Sequence, residues 1–159
     1  MSNAGSGSSR RRGVDTNVLI YAHVPALPDH QDVHQFLTRE LRRDDVTLVL
    51  TPMVLHELIH VITDKRTFEP PVSMPEALAL ARMYLDASNV ECLASDAEST
   101  LRMLALVDEH KLGRKRIADT LLAATLLRHG VHELITCNAA DFAAFDELKC
   151  IDPRKPRAQ

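Results

Sequence analysis

Acidic residues stand at four separated places in this sequence, and two of them interrupt segments that otherwise look like core. Asp15 lies in GVDTNVLIYA at residues 13–22, and Asp119 lies in IADTLLAA at residues 117–124. A buried carboxylate is costly unless it is paired, hydrogen-bonded or bound to a metal. These two positions therefore need a chemical explanation.

The other two places add acids of a similar kind. Glu57 lies in the middle of a predicted helix with Val54 and Val61 on either side, and Asp141 follows Asn138 in a loop after an apolar strand. Singly, each acid can be a cap, a turn residue or a surface acid. Converging carboxylates repel one another unless a divalent cation neutralises them, and hard oxygen ligands suit Mg²⁺ or Mn²⁺.

Helix and strand patterns alternate along the chain and indicate how these acids are positioned. Helical spacing and capping signals predict helices over residues 30–44, 52–66, 74–88, 96–112, 116–130 and 143–148. Short apolar runs predict strands over residues 46–51, 90–94, 132–137 and 149–152. This alternation is typical of an α/β domain with a mostly parallel sheet, whose ligands lie beyond the carboxyl ends of the strands.

Composition sets the limits of the fold. The chain has 159 residues, of which 45% are hydrophobic, enough for one domain with an aliphatic core. We expect residues 1–12 to be an expression tag and flexible linker, residues 13–153 to form the domain, and residues 154–159 to be a polar tail. No run of apolar residues is long enough for a membrane span, so we expect a soluble protein.

Charge and cysteine content narrow the functional classes. The formal net charge of −3 gives no general attraction to nucleic acid, so any such binding needs a local patch. The three cysteines are widely spaced and form no C-x-x-C pair, which argues against a disulfide framework and a cysteine zinc site. This usage fits a reducing cytoplasm.

Four ordered motifs carry a family resemblance. V-D-T-N-x-L-I, the turn and helix TPMVLHEL, I-A-D-x-L-x-A-A and T-x-N-x-x-D-F follow one another over about residues 13–152. Each is weak alone, but the ordered set resembles the PIN-domain family, and in particular the VapC-like ribonuclease toxins of bacterial toxin-antitoxin pairs.

The resemblance implies a fold, a cofactor and a set of site residues. The fold is a three-layer α/β/α sandwich, and an acidic pocket binds Mg²⁺ or Mn²⁺ for hydrolysis of RNA. By position, the catalytic and metal-binding acids are Asp15, Glu57, Asp119 and Asp141, and the residues that orient them are Thr16, Asn17, Thr136 and Asn138. Asn138 stands where many family members have Asp, which leaves open whether Asn138 or Asp141 fills the fourth position, and whether one metal or two bind.

The resemblance also implies partners. These are an RNA substrate, a small cognate antitoxin that inserts into the acidic groove, and a second copy of the chain in a homodimer. The apolar helices at residues 75–87 and 96–112 could provide the dimer surface, although the same stripes could face the sheet. No membrane partner is expected.

A basic cluster precedes Asp119 and could attract RNA locally. Its members are Lys111, Arg114, Lys115 and Arg116. Such cations could hold phosphates with a salt-dependent affinity, or they could form a solvated connecting loop or contact acidic parts of a partner.

Residues 56–60 read HELIH and support a rival interpretation. In H-E-x-x-H on a helix, the two histidines, here His56 and His60, bind zinc while the glutamate, here Glu57, activates water. A zinc protease would need a third ligand, for which Glu76 or Glu91 could serve. This interpretation leaves Asp15 and Asp119 unexplained. A catalytically inactive PIN-like binding module is a further alternative.

Overall fold

The structure, a computed structural model, describes residues 9–154 as an alternation of strands and helices. The strands are β1 (Arg10–Val14), β2 (Val46–Leu50), β3 (Val90–Cys92), β4 (Glu133–Ile135) and β5 (Lys149–Ile151). The helices are α1 (Thr16–His23), α2 (His30–Leu41), α3 (Pro52–Ile62), α4 (Met74–Asp86), α5 (Ala97–Glu109) and α6 (Ile117–Arg128). Two 3₁₀ turns, Arg114–Arg116 and Ala139–Phe142, complete the set.

The five strands form one sheet in the order β3-β2-β1-β4-β5, and every pairing is parallel. The chain builds the sheet outward from β1 through β2 to β3, then returns to place β4 on the other side of β1. The strand order therefore reverses between β1 and β4. Parallel sheets bind ligands at the carboxyl edge of such a switch point.

The helices cover the sheet in two groups. In the first group, α1 packs against both α2 and α3, and α3 packs against α4. In the second group, α5 packs along α6. Since connections between parallel strands are right-handed, the crossovers on the two sides of β1 place these groups on opposite faces. The result is the predicted α/β/α sandwich, with buried aliphatic side chains of β1, β2 and β4 at its centre.

Local capping explains where several helices begin and end. The Thr51 hydroxyl accepts from the Val54 amide at 3.4 Å with Pro52 in the first turn, and the Asp96 carboxylate accepts from the Ser99 amide at 2.8 Å. Gly130 closes α6 with a φ of +70°, a conformation that glycine adopts without strain. These caps stand where the sequence predicts them.

The five long predicted helices each end two to four residues earlier in the structure, and the predicted helix over residues 143–148 is replaced. α3 ends at Ile62 rather than near Arg66, because the Thr63 hydroxyl donates to the Ile59 carbonyl at 2.7 Å and Arg66 forms a local pair with Asp64. α5 ends at Glu109 rather than Leu112, where Lys111 takes a positive φ. Residues 143–148 form turns, and the short helical segment precedes them as the 3₁₀ turn at Ala139–Phe142.

The predicted linker boundary at residue 12 is wrong for its last part, because β1 begins at Arg10. Arg12 is only 6% exposed and forms two ion pairs of 2.7 Å, one to Glu40 and one to Glu133. These pairs offset the cost of burying the guanidinium. The rest of the expected tag, residues 1–8, lies outside the described part of the chain.

The C-terminal boundary also differs from the prediction. Arg154, assigned by sequence to the tail, donates to the Cys137 carbonyl and pairs with Asp152 and Asp29. It therefore belongs to the domain. Within residues 9–154, no helix combines the length and apolarity that crossing a bilayer requires.

Gly13 fixes the distance between β1 and α6, and its substitution tests this packing. A Cβ at Gly13 would lie 2.4 Å from Cδ1 of the fully buried Leu126. We expect Gly13→Ala to lower the free energy of unfolding by about 1–3 kcal/mol through overpacking, measured by urea denaturation. Gly113→Ala is the control, since no atom lies within 4 Å of its Cβ, and equal losses in both variants would contradict the interpretation.

Candidate active site

Asp15 lies at the carboxyl end of the central strand, directly after β1, where it caps α1. Its side chain is 8% exposed. Oδ1 accepts from the Thr16 amide at 2.8 Å, and Oδ2 accepts from the Asn17 amide group at 2.9 Å. The capping bond explains why the chain turns into a helix at this point.

A second set of contacts joins Asp15 to the loop after β4, across the switch point. The Thr136 hydroxyl donates to Asp15 Oδ2 at 2.8 Å and accepts from the Asn138 amide at 3.0 Å. Asn17 Oδ1 accepts from the Cys137 amide at 3.1 Å. Residues 15–17 and 136–138 therefore form one hydrogen-bonded unit that fixes the orientation of the Asp15 carboxylate.

Glu57 is brought to this unit from the middle of α3. The Thr16 hydroxyl donates to Glu57 Oε2 at 2.8 Å, so consecutive residues of α1 hold two of the predicted acids. Val54 and Leu58 are buried on the core side of α3, while Glu57 itself is exposed. The helix thus supplies one carboxylate at the rim of the site.

The third acid, Asp119, lies in the first turn of α6, and Arg116 connects it to Asp141. Arg116 Nη1 lies 3.6 Å from Asp119 Oδ2 and also pairs with Asp141 Oδ1. The Asn138 amide group donates to the other oxygen of Asp141. The residues that the sequence selects after β4 therefore lie beside the start of α6.

The four acids are close enough for their charges to raise the pKa values of Asp15 and Asp119. The pKa of Asp15 is raised to about 6, chiefly by burial and also by the charges of Asp119 and Glu57, while the hydrogen bonds from Thr136 and Thr16 lower it. Burial and the charge of Asp141 raise the pKa of Asp119, while Arg116 lowers it. Acids from separate elements therefore lie close enough to interact through their charges.

This donor set fits a hard divalent cation in its chemistry. The available ligands are carboxylate oxygens, and the mutual repulsion of Asp15, Glu57 and Asp119 would be relieved by positive charge. As the side chains are placed, no three His, Cys, Asp or Glu residues between residues 9 and 154 form a ready-made metal-binding group. Cation binding would therefore draw the carboxylates closer together.

The HELIH segment does not form the zinc site of the rival interpretation. His56 and His60 are exposed and stack on each other with ring centroids 6.3 Å apart. Both proposed third ligands are engaged elsewhere, Glu76 with Ser73 in a capping box and Glu91 in an ion pair with Arg11. Glu57 faces Thr16 in the acidic site instead.

The predicted basic cluster divides into two parts. Arg116 contacts the acids, whereas Lys111 pairs with the exposed Asp108 at 3.0 Å, and Arg114 and Lys115 are exposed in the 3₁₀ turn. The sequence predicts Arg116 to be an RNA contact, a solvated loop residue or a contact for acidic parts of a partner, and does not predict its pairing with Asp141. The spacing of Arg116 and Asp119, one helical turn apart, was the one local signal available.

Comparisons with known proteins agree with this fold. The sequence matches the PIN domain family over residues 14–148. VapC ribonuclease Mb2897 of Mycobacterium bovis is 33% identical over 142 residues, covering 88% of this chain and 93% of that protein. Ribonuclease VapC24 of Mycobacterium tuberculosis is 29% identical over 140 residues, covering 88% and 94%.

Solved structures share the architecture. VapC20 of Mycobacterium tuberculosis, a sarcin-ricin loop cleaving toxin, superposes with a TM-score of 0.67 at 13% identity, covering 84% of this chain and 95% of that chain. VapBC2 of Rickettsia felis, bound to a DNA fragment from its promoter, gives a TM-score of 0.60 at 17% identity, covering 89% and 97%.

The fold is that of a PIN domain, and the chain belongs to the PIN-domain family. Within that family it groups with the VapC ribonucleases, as the relative at 33% identity shows. The resemblance predicted from the four sequence motifs is confirmed.

The raised pKa of Asp15 predicts a pH-dependent cost to stability. Because this pKa is about 6 when folded against an ordinary 3.8, the stabilising contribution of Asp15 is complete below its ordinary pKa and is lost as pH rises through about 6. Asp15→Asn removes the titration. In EDTA, we expect the free energy of unfolding of the wild type, relative to the variant, to fall by about 2 kcal/mol between pH 4.5 and 7.5. Urea unfolding across this range measures the difference, and a flat difference would contradict the assignment.

Proposed function

We propose that this protein is the toxin of a toxin-antitoxin pair and hydrolyses RNA phosphodiester bonds internally, with Mg²⁺ or Mn²⁺ as cofactor. Asp15, Glu57 and Asp119 are the proposed metal-binding carboxylates. The observation that carries the proposal is that three separate elements, β1, α3 and α6, bring these acids to the switch point of a PIN-family sheet.

The residues around the carboxylates support a role in orientation. Thr16, Asn17 and Thr136 donate to Asp15 or Glu57, which directs the carboxylate lone pairs and fixes their separation. A bound divalent cation would offset the charge that develops on the phosphate oxygens and would ease deprotonation of the attacking water. The chain itself would contribute binding, position and negative charge.

Side-chain nucleophiles are not favoured at this site. Cys137 is the thiol in the loop after β4, and burial raises its pKa to about 12. A thiol with such a pKa stays protonated at neutral pH and is a poor nucleophile. Hydrolysis by water is therefore the proposed reaction, with no covalent enzyme intermediate.

The nuclease proposal predicts loss of cleavage when the metal or an acid is removed. We expect Asp119→Asn to lower the cleavage rate of single-stranded RNA by a factor on the order of a hundred or more, and EDTA to abolish cleavage until Mg²⁺ or Mn²⁺ is restored. Asp108→Asn is the matched control, since Asp108 is an exposed acid that pairs with Lys111. The measurement is gel-resolved cleavage with mapping of the new 5′ ends.

Two results would overturn the nuclease proposal. The first is equal cleavage by the wild type and Asp119→Asn, and the second is cleavage that persists in EDTA.

The proposed partners are a small antitoxin and a second copy of the chain. Structures of similar fold include a toxin-antitoxin complex from Klebsiella pneumoniae and DNA-bound VapBC from Salmonella typhimurium. Large apolar side chains are exposed on α4 and α5, among them Leu85 at 50%, Leu101 at 65% and Leu104 at 55%. Exposed apolar patches of this kind are typical of protein interfaces.

Expression in a bacterial host tests the partner proposal. We expect the wild type to arrest growth, Asp119→Asn to permit it, and co-expression of a cognate antitoxin to restore it. The purified complex should have the mass of a toxin dimer with bound antitoxin by light scattering. Growth unaffected by the wild type would contradict the proposed toxin function. A monomeric toxin in the purified complex would contradict the proposed homodimer.

A further inference from the structure

We propose that Asp141 is a positioning residue rather than a metal ligand, and that it holds Arg116 beside Asp119 so that the Arg116 guanidinium binds a phosphate of the RNA. This inference rests on the proposed nuclease function and assigns the fourth position of the same site. It also implies that three carboxylates, not four, face the metal.

The partners of Asp141 differ in kind from those of Asp15. Both oxygens of Asp15 accept from neutral donors, which leaves its negative charge available. Asp141 instead accepts from Asn138 on one oxygen and is paired directly with the full positive charge of Arg116 on the other. A divalent cation on Asp141 would lie next to that guanidinium, and the two like charges would repel each other.

The charge balance of the site also favours three metal-binding carboxylates rather than four. Asp15, Glu57 and Asp119 carry three negative charges when ionised, and the pair of Arg116 with Asp141 adds none. One divalent cation removes most of the remaining charge, whereas Asp141 without its pairing to Arg116 would add a fourth negative charge.

Arg116 is placed to bind an anion in addition to Asp141. Both of its ion pairs use Nη1, and its side chain keeps 39% of its surface exposed. A guanidinium presents five N–H donors in a planar fork and recognises phosphate in a bidentate manner. An RNA phosphate approaching Asp119 would meet this cation at the mouth of the acidic site.

The neighbouring cations do not share this placement. Arg114 and Lys115 belong to the same 3₁₀ turn but are exposed, and Lys111 pairs with Asp108. Arg116 alone of the four contacts the acids of the site. It can therefore link phosphate binding to the position of Asp119, whereas its neighbours can supply only general attraction.

Metal titration without RNA tests the role of Asp141. The double variant Arg116→Gln/Asp141→Asn removes one charge of each sign, so the net charge of the site stays constant. We expect its affinity for Mn²⁺, measured by calorimetry, to stay within about threefold of the wild type, and Asp119→Asn to weaken Mn²⁺ binding about tenfold or more. A loss in the double variant equal to that of Asp119→Asn would make Asp141 a ligand and overturn the inference.

RNA binding in EDTA tests the role of Arg116. The probe is a fluorescein-labelled single-stranded RNA oligonucleotide, followed by anisotropy at several salt concentrations. We expect Arg116→Gln to weaken binding and to reduce the slope of log affinity against log salt by about 0.7, the value for one lost phosphate contact. Arg114→Gln, in the same turn, is the control and should leave the slope within error.

A mutant cycle connects the two residues. We expect Asp141→Asn alone to weaken RNA binding about as much as Arg116→Gln, and the double variant to be no weaker than either, since both substitutions disable one contact. Arg116→Lys keeps the charge without the fork and should recover part of the binding. Additive losses, or a salt slope unchanged in Arg116→Gln, would overturn the inference.

Failure of this inference can be distinguished from failure of the nuclease proposal. If the wild type binds Mn²⁺ and cleaves RNA while the double variant loses Mn²⁺, only the assignment of Asp141 is wrong. If the wild type neither binds Mn²⁺ nor cleaves RNA, the proposed function is wrong and this inference falls with it. Matching thermal unfolding curves establish that each variant is folded.

Discussion

The burial of one carboxylate, that of Asp15, is the constraint on which the site depends. A charged group with 8% exposure is stable only where several donors converge on it, and here those donors come from α1 and from the loop after β4. The reversal of strand order between β1 and β4 makes this convergence possible, because it brings together two chain segments separated by about 120 residues.

The same hydrogen bonds extend outward to the rest of the site. The Thr16 amide donates to the capping carboxylate of Asp15, and the Thr16 hydroxyl donates to Glu57, so one residue links the acid of α3 to that of Asp15. Asn17 donates to Asp15 and accepts from the Cys137 amide. The carbonyl of Cys137 accepts in turn from Arg154, which reaches Asp29 before α2. Thus the loop carrying Asn138 and Asp141 is held from both sides.

Features encoded locally could be predicted from the sequence, and features that need distant partners could not. The alternation of helix and strand, the caps at Thr51 and Asp96, and the closure at Gly130 depend on a few adjacent residues. By contrast, Arg12 enters β1 because Glu40 and Glu133 neutralise it from 28 and 121 residues away. No pattern around three consecutive arginines indicates such partners, and composition alone suggests a linker.

In the candidate site, too, the locally encoded features could be predicted and the long-range contacts could not. Its acids could be selected because each stands at a strand end, a helix start or an otherwise apolar helix, and the family motifs order them. The pairing of Arg116 with Asp141 could not be predicted, because the two residues belong to different 3₁₀ turns and meet only when the turn at Ala139–Phe142 packs against α6. The sequence therefore identified the charges of the site but not which of them neutralise each other.

Helix α6 connects the chemistry of the site to the packing of the core. Its first turn carries Asp119, and Leu126, further along the same helix, packs where a side chain on Gly13 would otherwise lie. Gly13 is two residues before Asp15 in the chain. The distance between α6 and β1 therefore limits how near Asp119 can approach Asp15. That separation determines how strongly the two carboxylates repel each other, and also how strongly they attract a cation. In this arrangement the site depends on the absence of a side chain at Gly13 as well as on its acids.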